Sequence, residues 1–229
     1  MNQPIYCIAG SKGGVGKSIL AMGVLNYLLG NGKEPIFVET DTTNPDVWKS
    51  YRTSCESIVL DLDEADGWIQ LINHADSRPG CPIVINTAAR NNRGVERYGK
   101  TLQSTLKDLQ RELVTMWVIN RQRDSLELLL DYMDALPEST VHVMRNNYFG
   151  QPHKFELFNT SDVKKSIEER GGLSLDIPDL ADRVADDLYS KRLSILEASK
   201  ELPLGNRAEL IRWRNELNKI LSGVLHGTV

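Results

Sequence analysis

The stretch Gly10–Ser18, GSKGGVGKS, constrains this chain more than any other. It follows the apolar run PIYCIAG (4–10), which reads as a strand buried on both faces. It opens the segment GKSILAMGVLNYLLGNG (16–32), which reads as a helix rich in apolar residues and closed by Gly30 and Gly32. A glycine-rich turn between a strand and a helix is the setting in which a glycine pattern becomes a phosphate site. Gly13, Gly14 and Gly16 admit positive φ and bring backbone N–H groups against phosphate oxygens, while the helix N-terminus adds its dipole. Lys17 can then reach the β- and γ-phosphates, and the Ser18 hydroxyl can ligate Mg²⁺. The strict pattern G-x-x-x-x-G-K-[ST] asks for glycine at position 11, where this chain has Ser11. The candidates for holding a nucleotide here are Ser11, Gly13, Gly14, Val15, Gly16, Lys17, Ser18 and Ile19.

The rest of the chain keeps one rhythm. Apolar runs EPIFVET (34–40), SIVLDL (57–62), CPIVINTA (81–88), LVTMWVIN (113–120), STVHVMRN (139–146) and LSLDIP (173–178) alternate with longer amphipathic stretches. Helices are expected over 64–75, near 95–113, over 124–136 and 161–172, and near 179–190 and 206–222. Such alternation builds a mostly parallel α/β sheet, here of about six to eight strands, with helices on both faces. No repeat or Pro/Ser-rich linker divides it, so 1–229 is expected to be one domain. Its C-terminal helices (179–222) would pack on it, and 147–160 would be its loosest loop.

Lys12 ahead of GGVGKS resembles the deviant Walker A motif of the ParA/MinD family of ATPases. The resemblance implies a three-layer P-loop NTPase fold, ATP and Mg²⁺ as cofactors, and a homodimer with ATP sandwiched between two subunits. In that family the early lysine crosses the dimer interface to the phosphates held by its partner. That would make Lys12 the trans lysine and Lys17 the cis one. A second cation offsets charge that develops on the phosphates only when two subunits close. The plainer alternative for Lys12 is a solvated loop lysine. The second strand ends in VETD (38–41), where family members have D-x-D and this chain has Glu39-Thr40-Asp41. The resemblance implies that Asp41 positions or activates the attacking water and that Glu39 sits near the magnesium shell. A carboxylate at a strand's C-terminal end beside a phosphate site suits either task, and equally caps a turn before Pro45. TTNPD (42–46) takes the place of the first switch region without its usual D-P-Q continuation.

The strand PIVIN (82–86) stands where the family carries its Walker B strand, but ends in Asn86 instead of aspartate. Asparagine keeps the hydrogen-bonding shape and loses the charge that holds a magnesium-bound water. Three readings stay open: Glu39 compensates and leaves a slow ATPase, ATP binding acts as a switch with little turnover, or this strand is misaligned. Glu39 and Asn86 are therefore the candidate metal contacts through water, beside Ser18. Arg90, Arg93 and Arg97 follow, in the implied second switch, where they can meet phosphate, a partner subunit or DNA, or simply solvent. By resemblance, Asn120 and Asp124 in WVINRQRDS (117–125) are base-side candidates, and Pro178 lies in a late loop that covers the base in relatives. Asn120 is equally a strand-end turn residue. LDLDEADG (60–67) is no calcium loop, because Ala65 and Asp66 stand where Asp/Asn and Gly are required.

Composition excludes several classes. A net charge of -4 over 229 residues offers no global field for nucleic acid, so DNA would need a local patch. Cys7, Cys55 and Cys81 form no C-x-x-C pair, and His74, His142, His153 and His226 have no ligand spacing, which argues against a structural metal or an iron–sulfur reductase. There is no basic leader and no apolar stretch near the ~20 residues of a membrane span, so a cytoplasmic protein, associated at times with the nucleoid, is expected. In the last helix Leu210, Trp213, Leu217, Ile220, Leu221 and Val224 share a face, with Arg212 and Lys219 roughly opposite. Without a basic edge, that stripe reads as packing and not as a membrane anchor. The expectation is a dimerising Mg-ATP-dependent ATPase that positions or partitions DNA, such as a plasmid, or another large cargo with an adaptor protein. The alternative is an ATP-binding switch or scaffold in conjugation, cell-surface or division-site assembly.

Overall fold

The computed structural model describes residues 2–89 and 92–225. In chain order its elements are β1 (Ile5–Gly10), α1 (Lys17–Gly30), β2 (Ile36–Glu39), α2 (Asp46–Tyr51), β3 (Ser57–Val59), α3 (Ala65–Ser77), β4 (Ile83–Asn86) and α4 (Asn92–Leu109). There follow β5 (Leu113–Ile119), α5 (Asp124–Ala135), β6 (Thr140–Asn146), α6 (Glu156–Asn159), α7 (Asp162–Glu169), β7 (Ser174–Ile177), α8 (Asp182–Ser190), α9 (Ile195–Glu201) and α10 (Leu204–Leu225). The described residues form a seven-stranded sheet in the order β3-β2-β4-β1-β5-β6-β7, with every pairing parallel. This is the three-layer α/β architecture the rhythm of the sequence implies.

Every residue of β1 is buried, because helices cover both faces of the sheet. Alternation along the strand sends Tyr6 and Ile8 into one core and Ile5, Cys7 and Ala9 into the other. The first core holds α1 with α8, α9 and α10; the second holds α3, α4 and α5 together with Phe155 and Phe158. Helix α1 is apolar almost all round because it lies between the sheet and α9 and α10. Gly23 marks how close that packing is, since a β-carbon there would collide with the Leu217 side chain of α10.

Helix α10 buries Leu210, Trp213, Leu217, Leu221 and Leu225 against α1 and α9 and reaches the sheet at β7, while Ile220 and Val224 are partly buried beside them. Its stripe is thus a packing surface. Among the described residues no helix is long and apolar enough to cross a membrane.

Some boundaries differ from the expectation, for local reasons. The run 57–62 is a strand over Ser57–Val59 alone, because β2 ends at Glu39 and the chain then turns at Asp61, whose side chain accepts the Asp63 N–H. Helix α4 begins earlier and stops at Leu109. Gln110 then takes a left-handed φ of 52°, and the buried Arg111 guanidinium donates to the carbonyls of Gln3, Ala75, Arg78 and Cys81. The segment 147–160 is not a loose loop. It holds two 3-10 turns, Asn147–Phe149 and Pro152–Lys154, then α6, and buries Phe155 and Phe158.

The chain leaves β1 toward β2 on one side, and crosses from β4 over β1 to β5 on the other. The C-terminal ends of β1 and β4 therefore flank a topological switch point, where open α/β sheets place their ligands.

Candidate functional site

The loop after β1 descends to α1 through Gly14 (φ 77°) and Gly16 (φ 107°), the latter at the helix N-cap. Gly16 is confined twice. Its backbone is left-handed, and a β-carbon would strike the Asn146 side-chain amide. Asn146, buried at the end of β6, donates from Nδ2 to the Val15 carbonyl at 2.8 Å and accepts the Tyr148 N–H at Oδ1. This buttress of the loop was not among the sequence candidates. Its signal, an asparagine ending a strand, was the one used for Asn120.

A cleft of about 300 Å³ opens above the loop, lined by Gly13, Gly14, Gly16, Lys17, Ser18, Glu39, Asp41 and Asn86, with Tyr189 of α8 reaching in. Lys17 is buried and donates from Nζ to the Lys12 carbonyl at 2.8 Å. Burial pulls its ammonium down to about 8, against the opposing pull of Asp41 and Glu39.

Glu39 and Asn86 end adjacent strands and are direct register partners, so their side chains rise together on one face. Asn86 Nδ2 lies 3.1 Å from both carboxylate oxygens of Glu39. Oε1 also accepts the N–H groups of Thr40 at 3.0 Å and Asp41 at 3.1 Å. Burial nonetheless pushes the Glu39 carboxyl up to about 7, although each of those donors favours its charged form. Asn86 Oδ1 is buried and has no partner among the described residues. Asp41 lines the cleft half-buried, and its Oδ1 accepts from Thr43 N and Asn44 N, which shapes the turn that follows.

Lys12 faces elsewhere. Its half-exposed side chain pairs with the Asp124 carboxylate and donates to Gln122 Oε1 at 3.3 Å. Beside it Ser11 Oγ meets Ser125 Oγ at 2.9 Å. Ser125 Oγ and Gln122 N both donate to Asn120 Oδ1 at 2.9 Å. Ser11, Lys12, Asn120 and Asp124 thus bind the loop after β5 to the phosphate loop. Val15 is buried in the core, and Ile19 packs on it from the first turn of α1. Pro178 is buried with its carbonyl accepting from Trp213 Nε1 at 2.8 Å, and is not part of the cleft wall. Arg93 and Arg97 are exposed on the first turns of α4, with the Arg97 guanidinium 5.3 Å from the Tyr98 ring centre. Arg90 lies outside the described residues.

A glycine loop capping a buried helix, a lysine and serine at its base, and acids at the ends of neighbouring parallel strands define a P-loop nucleotide-binding protein. More particularly, this chain belongs to the CobQ/CobB/MinD/ParA nucleotide-binding domain family, whose sequence profile matches residues 6–169. It is 61% identical over 226 residues to Protein MobD of Acidithiobacillus ferrooxidans, covering 99% of this chain and 100% of that one. Its fold is similar to that of the MinD cell division protein of Aquifex aeolicus, with a TM-score of 0.57 and 13% identity over 93% of this chain and 96% of that one. It is also similar to the septum site-determining protein MinD of Pyrococcus horikoshii, solved with Mg-ADP, at a TM-score of 0.54 and 15% identity over 99% and 100% of the two chains.

Proposed function

We propose that this protein is a Mg-ATP-dependent ATPase whose subunits dimerise over the nucleotide and position DNA or another large cargo. The observation that carries the reading is the division between the two lysines of the loop. Lys17 is buried in the cleft, whereas Lys12 stands half-exposed outside it, on a carboxylate of the neighbouring loop. A cation outside its own cleft supports a role on a second subunit's phosphates, the role the early lysine has in the ParA/MinD family. The Mg-ADP held by the P. horikoshii MinD supports the choice of nucleotide and metal.

In this reading the backbone of Ser11–Ser18 cradles the phosphates and Lys17 neutralises the β- and γ-oxygens. The Ser18 hydroxyl would hold Mg²⁺, with Glu39 and Asn86 as acceptors around it. The orphaned acceptor Asn86 Oδ1 fits such a role, because a hydrated cation turns water protons outward. When bound, the ion supplies charge neutralisation on the phosphates. Asp41 orients the attacking water from the rim of the cleft. Arg93 and Arg97 are exposed cations available to DNA or to an adaptor protein, and such DNA binding falls steeply with salt. The site of action on this reading is the cytoplasm.

A second reading, an ATP-binding switch with little turnover, is favoured by one observation. The strand-end position that carries an acid in ParA/MinD relatives carries Asn86 here, and its amide is turned onto Glu39. Phosphate release separates the two. On the ATPase reading Asp41→Ala lowers turnover by about a hundredfold or more, the scale of a lost general base, while ATP affinity stays within a few fold. Wild-type turnover no faster than that of the variant would leave the switch reading standing instead.

A further inference from the structure

We infer that Tyr189, on the last turn of α8, is a further nucleotide contact: its hydroxyl donates to the terminal phosphate of ATP and so sets a preference of the cleft for ATP over ADP. This role rests on the Mg-ATP reading above. It brings into the site a layer of the fold to which neither the glycine loop nor the strand ends belong.

Tyr189 lines the cleft together with Ser18, Glu39, Asp41, Asn44 and Asp46. The charges that bear on its phenol are those of Asp46 and Glu39. The side chain therefore lies toward the end of β2 and the turn that follows it, away from Asn120 and the loop after β5. With the inner phosphates cradled by the glycine loop, the β2 end of the cleft is where the outermost phosphate falls.

The position of the phenol is fixed by packing behind it. Val184 and Leu188, one turn apart on α8, are 2% and 0% exposed in the core that α8 shares with α1. Between them and Tyr189, Asp187 accepts from Asn206 Nδ2 of α10 at 2.6 Å and pairs with Lys191 at 2.7 Å. A donor anchored in this way loses little freedom when a ligand arrives.

The side chains around it supply acceptors that are already engaged. Asp46 accepts from Asn44 Nδ2 at 2.6 Å and from Lys49 Nζ at 3.0 Å, and Asp41 Oδ1 accepts the Thr43 and Asn44 N–H groups. The Tyr189 hydroxyl makes no hydrogen bond among the described residues. Desolvation, and then the charges of Asp46 and Glu39, push the phenol up to about 12, so it keeps its proton at neutral pH. Carboxylates repel a phosphate, whereas a neutral O–H donates to it, and a terminal phosphate offers three charged oxygens. ADP has no group at that place.

The test measures binding to the full chain by calorimetry in MgCl₂, for ADP and for the ATP analogue whose β- and γ-phosphates are joined by an imido bridge that resists hydrolysis. Wild type is compared with Tyr189→Phe, which keeps the ring and removes only the hydroxyl. The variant is expected to bind the analogue about tenfold or more weakly, the scale of one hydrogen bond to a charged group, and ADP within about twofold of wild type. A tyrosine that only packs, or one whose loss disturbs the fold, would leave the ratio of the two affinities alone. The proposal is overturned if Tyr189→Phe keeps the wild-type ratio. A wild type that binds neither nucleotide defeats the functional reading itself, whereas binding of both with an unmoved ratio in Tyr189→Phe defeats this inference alone.

Discussion

The ammonium of Lys17 is held in the cleft at a cost in desolvation. It is 7% exposed, bonded to one carbonyl, and drawn down from 10.5 to about 8 by desolvation. A base whose folded value is depressed binds fewer protons folded than unfolded between those two values, so stability rises with pH across that window. Below about 8 both states carry the proton and the fold bears the full burden, of the order of a few kcal/mol. Lys17→Met should therefore raise the melting temperature of the nucleotide-free protein at pH 7 while abolishing ATP binding. A fall in melting temperature would mean that the bond to the Lys12 carbonyl outweighs desolvation. The loop residues were legible in the sequence because their chemistry is set by neighbours within a few positions. Asn146 and Tyr189 were not, since Asn146 meets the loop 131 residues away from it and only the closed sheet brings the two together. Asn120 was readable as a strand-end turn residue, and it is the acceptor that shapes the loop after β5.

Among elements, the buried strands and the long helices declared themselves through runs and periodicity. Helices α2 and α9 did not, having 6 and 7 residues, too few to show a period. Helix α9 did carry a readable signal in its capping box, where Ser194 and Glu197 bond each other's backbone, but not enough length to weigh it. The segment 147–160 misled for a different reason. It carries a glycine and a proline and its apolar residues follow no regular period, yet Phe155 and Phe158, three positions apart, are 1% and 2% exposed in the core under α5 and α7. Phe158→Ala should lower stability by about 3–5 kcal/mol, read from the urea midpoint at constant slope. A loss under about 1 kcal/mol would return this segment to the status of a tolerant surface loop.

At the scale of the molecule, a parallel sheet covered on both faces puts the phosphate loop, Glu39, Asp41 and Asn86 at one edge, all at strand ends near the switch point. The sequence placed Glu39, Asp41 and Asn86 at strand ends, but the strand order that gathers them beside the phosphate loop is set by the folded sheet. On the proposed reading one chain cannot complete the role of Lys12, which sits outside the cleft and is held by Asp124. If ATP closes two subunits, that pair must open and Lys12 must reach across, so quaternary structure becomes the readout of nucleotide. Light scattering with and without Mg-ATP, on the wild type and on Lys12→Ala, measures this directly. The wild type should go from the 25.7 kDa chain to about twice that mass with Mg-ATP, as two-fold closure requires, while Lys12→Ala binds ATP and stays a monomer. A wild-type mass that does not respond to Mg-ATP, or a Lys12→Ala variant that dimerises as readily as the wild type, would contradict it.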